Sequence, residues 1–337
     1  MALLLVLGLL LLAGFAVIGS FHDTPNAIAV AVRTRALTAT TALALAAVCT
    51  AIGFGVGLAT LPETAHDWLR VPASTDGLGM LTAILATAIL WELATWWRAM
   101  PSSSTHALIG ALLGAGWAAR AVDLDVPADA ASQLLASVWL PLVAGPLLAY
   151  AVSWLAAVLL VGLLRHASPR TVNDRSRYLL CLSAAVVSLS HGMYFGHRLL
   201  LLGGLLLGCA GITPPEAGPA TLAASAVLCG LMVLGTLGGG WRIARTLATR
   251  MVQVDPFRGA VAMTTTSLLS LGTGAVLREP YSSSHLSAAA VLGAGSTQRF
   301  TAVRSQVAGR IVLTWLLTVP VCAVLAAVLL LALSPLL

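Results

Sequence analysis

A proline followed by a run of hydroxyls and a histidine occurs twice in this chain. Residues 100–116 read MPSSSTHALIGALLGAG, and residues 279–295 read EPYSSSHLSAAAVLGAG. The two align without a gap at an offset of 179 residues, matching Pro101 with Pro280, Ser103 with Ser282, Ser104 with Ser283 and His106 with His285. Gly114 and Gly116 fall on Gly293 and Gly295 in the same register. Serines and threonines at a helix start put neutral donors beside unpaired backbone N–H groups and a partial positive charge, which suits an oxyanion. Neutral donors hold an anion without trapping it, as transport requires. The candidate anion ligands are therefore Ser103, Ser104, Thr105, Ser282, Ser283 and Ser284. Ser and Thr are also ordinary N-caps, and Ser allows close packing of membrane helices. A single cluster would be read that way; two at one offset, each ending in histidine, favour a shared site.

Asp23 is the sharpest single residue. It lies in GSFHDTPNAIA, in the middle of the first apolar stretch, and an ionisable group at membrane depth is by default a functional-site hypothesis. With Asn26 one turn on, it offers two oxygen ligands to a small hard cation, or one carboxylate to a proton. The plainer alternative is a carboxylate that caps a second half-helix. His22 beside it is either a packed, hydrogen-bonded histidine or a proton carrier. Glu92 is a further embedded carboxylate, open to three readings: a proton carrier, a partner for Arg198, or a bystander near the cytoplasmic interface.

These residues need a membrane fold to hold them. The chain has 337 residues, 59% of them hydrophobic and 9% charged, with mean hydropathy +0.96. Apolar runs of about 20 residues recur, the length that crosses a bilayer core. All 18 basic residues are arginine, and the five cysteines stand singly in apolar runs. No spacing suggests a metal site or a disulfide framework, and no nucleophile–base pairing or cofactor motif suggests an enzyme. The N-terminal run has no basic residue ahead of it, so a retained first segment is expected rather than a cleaved signal.

The runs divide into five crossings per half, about ten in all, with residues 1–164 and 179–337 as the repeats and 165–178 as a basic linker. The first run, interrupted at Asp23 and Pro25, is expected to be a broken helix, and so is the run interrupted at SHGMYFGHR. Residues 134–164, with Pro141 and Pro146, are expected to kink or split. With both termini outside, 14 of the 18 arginines fall in cytoplasmic loops. An odd number of crossings inverts the second half, so the two hydroxyl motifs approach from opposite sides.

At this point a resemblance becomes specific. GSFHDTPNAIAVAVRTRALT, ATWWRAMPSSSTHALIGALLGAG and YSSSHLSAAAVLGAG are similar to the signatures of the PiT family of inorganic phosphate transporters. It implies an all-α polytopic secondary transporter with inverted repeats and broken helices. Phosphate would bind between the hydroxyl motifs, and a co-transported sodium ion or proton at Asp and Asn of the broken helices. The sequence departs from the family in one place. Where the second half of the family carries His-Gly-x-Asn-Asp-x-x-Asn, this chain has Phe195 for the Asp and Arg198 for the Asn. Three readings follow: Arg198 stands in for a coupling cation or pairs with Asp23; coupling passes to protons through Asp23, His22 or Glu92; or Arg198 snorkels to an interface and the second site has decayed.

The expectation is a plasma-membrane phosphate symporter working by alternating access, with no resident cofactor or metal and no nucleic-acid partner. Its partners are inorganic phosphate and the lipid bilayer, and its small residues suit a homodimer. A sulfate or other oxyanion permease of the same fold is the nearest alternative. A non-transporting binding or regulatory membrane protein is the second.

Overall fold

The apolar runs become helices, and the other described residues are mostly turns and caps between them. The computed structural model describes residues 1–61, 71–124, 130–213, 218–277, 282–298 and 303–337. In order the helices are α1 (Ala2–Arg33), α2 (Ala39–Thr60), α3 (Thr75–Trp97), α4 (Ser104–Ala121), α5 (Ala130–Leu163) and α6 (Pro169–Cys209). Then come α7 (Pro219–Gly238), the short α8 (Trp241–Arg245), α9 (Pro256–Leu277), α10 (Ser283–Ser296) and α11 (Ser305–Leu333). Among the described residues seven helices are long and apolar enough to cross a membrane: α1, α2, α3, Val143–Leu163 of α5, α6, α7 and α11. α4 and α10 differ in kind. They are short and almost wholly buried, so their polar starts face protein rather than lipid.

The expected breaks are not there. α1 runs unbroken through Asp23 and Pro25, α6 runs unbroken from His191 through Arg198, and α5 continues past Pro141 and Pro146. A proline inside a helix frees the carbonyl four residues back and crowds it; in α1 that carbonyl belongs to Phe21. Gly240 is packed against this spot with φ +50°, and a Cβ there would meet both the Phe21 oxygen and the Pro25 ring. A glycine on the turn between α7 and α8 thus leaves room for the crowded carbonyl and the ring, and α1 is continuous there. α6 also starts earlier than expected: Ser168 caps it by accepting from the Thr171 N–H at 3.2 Å, so residues 169–178 of the linker are helical.

Glycines set the closest crossings. α2 and α6 meet through Gly53 and Gly57 on one side and Gly192 and Gly196 on the other. A Cβ at Gly53 would strike the Leu189 carbonyl, and one at Gly192 the Thr50 carbonyl. Such small-residue faces let membrane helices approach backbone to backbone. Gly192→Val is expected to destabilise the protein by about 3 kcal/mol, since no flexible side chain can yield. Thermal unfolding in detergent would show it, and an unchanged melting temperature would mean the crossing is looser than described.

The two motif helices are seated alike. α4 packs on α11, where Gly114 meets the Ala323 carbonyl; α10 packs on α5, where Gly293 meets the Tyr150 carbonyl. Gly114 and Gly293 are equivalent positions of the sequence repeat, and each does the same job against a different long helix.

Candidate functional site

Local rules bring the hydroxyl motifs into place. α3 closes with Ala99 at φ +58° and a Met100 N–H donating to the Thr95 carbonyl at 2.9 Å. The chain then runs extended through Ser103, whose Oγ accepts from the His106 N–H at 3.2 Å and so caps α4. Ser282 caps α10 in the same way, accepting from the His285 N–H at 3.3 Å. Two of the six expected anion ligands therefore serve as N-caps. Capping secures the third N–H of each helix and leaves the first two, of Ser104 and Thr105 and of Ser283 and Ser284, without intrahelical partners.

Both helix starts converge on Asp23. Ser284 Oγ donates to Asp23 Oδ1 at 2.8 Å, and Ser104 Oγ donates to Oδ2 at 3.4 Å. The two serines are not equivalent in the repeat, for Ser284 matches Thr105. Asn26 Nδ2 donates to Asp23 Oδ1 at 3.2 Å and to Ser284 Oγ at 2.8 Å, while Ser287 Oγ donates to the Asn26 carbonyl at 3.1 Å. His22 Nδ1 and His191 Nδ1 each stand 3.8 Å from a carboxylate oxygen. Asp23, Asn26, Ser104 and Ser284 are all buried, so one carboxylate joins residues 23, 26, 104, 191 and 284. Thr105 is buried beside them, and Ser283 is half-buried.

A small cavity opens beside this cluster, lined by Asp23, Thr24, Asn26, Thr50, His191, Thr236 and Ser283, with room for about one water molecule. Asn26 Oδ1 and Thr236 Oγ1 are buried with no hydrogen-bond partner. A carboxylate, an amide oxygen and several hydroxyls around so small a space form an oxygen donor set for a hard cation. Among the described residues no group of three His, Cys, Asp or Glu side chains is placed to hold a transition metal. Thr236→Val is expected to raise the cation concentration for half-maximal activity about tenfold, by removing one ligand at constant shape. Titrating the driving cation would check this, and an unchanged midpoint would remove Thr236 from the site.

His22 faces the other way. Its Nε2 lies 3.1 Å from Thr95 Oγ1 and 3.3 Å from Ser102 Oγ, and those two hydroxyls share a hydrogen bond of 2.9 Å. It ties α1 to the end of α3 and to the first motif. The motif histidines meet directly: His106 stacks on His285 with centroids 4.8 Å apart, and His285 lies 4.3 Å from Trp315 of α11. Trp315 Nε1–H donates to the Pro101 carbonyl at 3.2 Å, which closes a ring from one motif to the other and back.

The remaining expectations need correction. Glu92 is fully buried, so it is no interfacial bystander, and neither of its carboxylate oxygens has a hydrogen-bond partner. Arg198 is 5% exposed and does not snorkel. No ion pair within 4 Å joins it to Asp23, whose near ionisable neighbours are His22 and His191. Phe195 packs edge-on against Phe15 at 5.3 Å and stacks on His191 at 5.0 Å. Gly19 makes room for its ring.

Sequence reasoning missed Thr95, Thr236, Ser287 and Trp315. Thr95, one turn past Glu92 and seven residues before Ser102, was the only one with any signal.

A polar cluster sealed among membrane-length apolar helices, with helix starts aimed at its centre, defines a multi-pass helical transport protein rather than an enzyme. The model of the phosphate transporter family matches residues 18–326, and the chain belongs to that family. A probable low-affinity inorganic phosphate transporter of Bacillus subtilis is 28% identical, with 97% of each chain covered. One of Rhizobium meliloti is 32% identical over 74% of this chain and 72% of its own, and one of Mycobacterium leprae is 31% identical over 96% and 77%. A solved structure described as the sodium-dependent phosphate transporter covers the whole of both chains with a TM-score of 0.80 at 18% identity, which shows a shared fold.

Proposed function

We propose that the chain carries inorganic phosphate across the plasma membrane together with a cation. The observation that carries this reading is the bonding of Ser104 and Ser284 to opposite oxygens of Asp23. It puts an acceptor between two sets of anion donors. Phosphate near neutral pH keeps a donor hydroxyl and sulfate does not, so an acceptor beside the anion favours phosphate. The free N–H groups of Ser104, Thr105, Ser283 and Ser284 and the hydroxyls of Thr105 and Ser283 hold the anion, the Ser104 and Ser284 hydroxyls turn from Asp23 to it as it binds, and Ser103 and Ser282 hold the helix starts in shape.

The coupling cation binds at Asp23 and Asn26, with Thr236 completing the set. The unpartnered oxygens of Asn26 and Thr236 support sodium, a hard ion that needs several oxygen ligands. His22, bonded to Thr95 and Ser102, is a positioning residue. The like seating of Gly114 and Gly293 supports two inverted repeats, 1–164 and 179–337, in ten crossings with both termini outside. Transport proceeds by alternating access: the shared carboxylate lets anion and cation sites form and disperse together as the motif helices move.

The test is radiolabelled phosphate uptake into proteoliposomes of the purified protein, with an imposed sodium or proton gradient and sulfate as competitor. Sodium-driven uptake that sulfate leaves intact is the expected result. Uptake driven only by protons would remove the sodium assignment, and sulfate uptake would remove the substrate. No uptake of either anion would leave a non-transporting membrane protein of this fold.

A further inference from the structure

Three glycines in a row, at 238–240, close α7. Gly239 at φ +75° and Gly240 at φ +50° adopt left-handed conformations that suit glycine, and they turn the chain from α7 into α8. α8 packs on α1 and on the end of α3, which brings Arg242 to two tryptophans. Its guanidinium carbon lies 4.9 Å from the centre of the Trp97 ring and 5.3 Å from that of Trp96. The two rings meet edge-on at 6.4 Å, and Phe21 of α1 packs edge-on against Trp96 at 5.4 Å.

A guanidinium held over aromatic rings keeps its N–H fork for an acceptor such as a carboxylate or a phosphate. Among the described residues no carboxylate lies within 4 Å of Arg242. The same holds for Arg245, one turn on along α8, and for Arg98, next to Trp97; both are exposed. The Trp96 Nε1–H is buried with no acceptor. The cluster thus gathers donors and positive charge and supplies no anion of its own. The adjoining face of α3 says which anion fits. Leu90, Leu93 and Trp97 fall on one stripe and are exposed, Trp97 by 68%. α3 is membrane-length and closes at Trp97, so such a stripe faces acyl chains. Exposed tryptophans, here Trp97 and Trp241, collect at the level of lipid headgroups, and basic clusters at that level bind anionic ones. A small free anion would match the arginines and leave the stripe unused.

We infer that the end of α3 and the start of α8 form a binding site for one anionic phospholipid. Its headgroup phosphate accepts from the Arg242 fork, with Arg98 and Arg245 adding charge, and an acyl chain lies along Leu90, Leu93 and Trp97. The site adjoins the first hydroxyl motif. Trp96 follows Thr95, whose hydroxyl shares a hydrogen bond with Ser102 and lies 3.1 Å from His22 Nε2. A seated lipid therefore holds the turn that leads into the motif. The inference goes beyond the symport reading and does not depend on it.

The experiment titrates the purified full chain, in neutral detergent, with dioleoylphosphatidylglycerol or dioleoylphosphatidylcholine and reads retained lipid by native mass spectrometry. One phosphatidylglycerol should be retained saturably, and phosphatidylcholine should need a concentration about tenfold higher. Saturating phosphatidylglycerol should also raise the melting temperature. Arg242→Gln should raise the half-saturating concentration of phosphatidylglycerol about tenfold. Arg175→Gln removes the same charge from an exposed position near the start of α6 and should leave that concentration unchanged. Equal retention of the two lipids, an unmoved melting temperature, an Arg242→Gln protein that binds as the wild type does, or equal loss in both variants would each overturn the inference. Displacement of the lipid by inorganic phosphate would make this a site for the free anion and overturn the lipid assignment. If Arg242→Gln does not fold, the two lipids on the wild type and Trp97→Ala decide: that variant should bind phosphatidylglycerol severalfold more weakly, and unaltered binding would overturn the inference.

Discussion

Asp23→Asn should abolish coupled phosphate uptake, lowering it about 100-fold or more, while helix content and melting temperature stay close to wild type. Asparagine keeps the volume of the side chain and one acceptor oxygen, so either Ser104 or Ser284 can still donate to it. It loses the formal charge and the second acceptor. Hydrogen bonds to a charged group are worth about 1.5–3 kcal/mol each, and the carboxylate takes one from each motif. About 1.4 kcal/mol is a factor of ten, so the loss of one such bond and the weakening of the other carry about two decades. The coupling cation also loses the only carboxylate that lines its cavity. Uptake that persists within about threefold of wild type would detach Asp23 from coupling. A collapsed melting temperature would make its role structural.

The second large effect is expected from Ser104→Ala combined with Ser284→Ala. Each substitution removes one donor from the mouth of a helix and leaves the caps at Ser103 and Ser282 in place. About tenfold in the KM for phosphate is expected for each and about 100-fold together, because each donor is worth on the order of 1.4 kcal/mol. The two positions also share Asp23, so the pair is expected to deviate from simple multiplication, as contacting residues do. Kinetics of the two single variants and the double would measure that deviation. A double variant with an unchanged KM would move the anion away from these helix starts.

How far the sequence could be read depended on which forces act locally. The seven membrane-length helices among the described residues were legible because hydropathy and length are properties of a stretch, and the motif helices because a proline and a hydroxyl run mark a helix start. The grouping of Asp23 and Asn26 followed from one turn of spacing. Continuity did not. α1 runs on through Pro25, with Gly240, a residue far along the chain, packed where the freed Phe21 carbonyl needs room. The fate of Arg198 was equally illegible, since nothing in its neighbourhood of sequence says whether the side chain runs to an interface or stays inside. Thr236 was invisible for the same reason: a threonine in an apolar run joins a polar cavity only when another helix brings Asp23 to it.

The seating of α4 on α11 has a consequence for how the protein is made. Helices enter the membrane in chain order, and α11 follows α4 only after α5 to α10. Gly110 and Gly114, whose positions press on the carbonyls of Val319 and Ala323, must wait with their face uncovered while every intervening helix is synthesised. Such a small-residue face is adhesive toward any helix that reaches it first. The nascent first half is therefore an open-ended intermediate that only the arrival of α11 can close, and a ribosome that stalls before α11 leaves α4 unsupported.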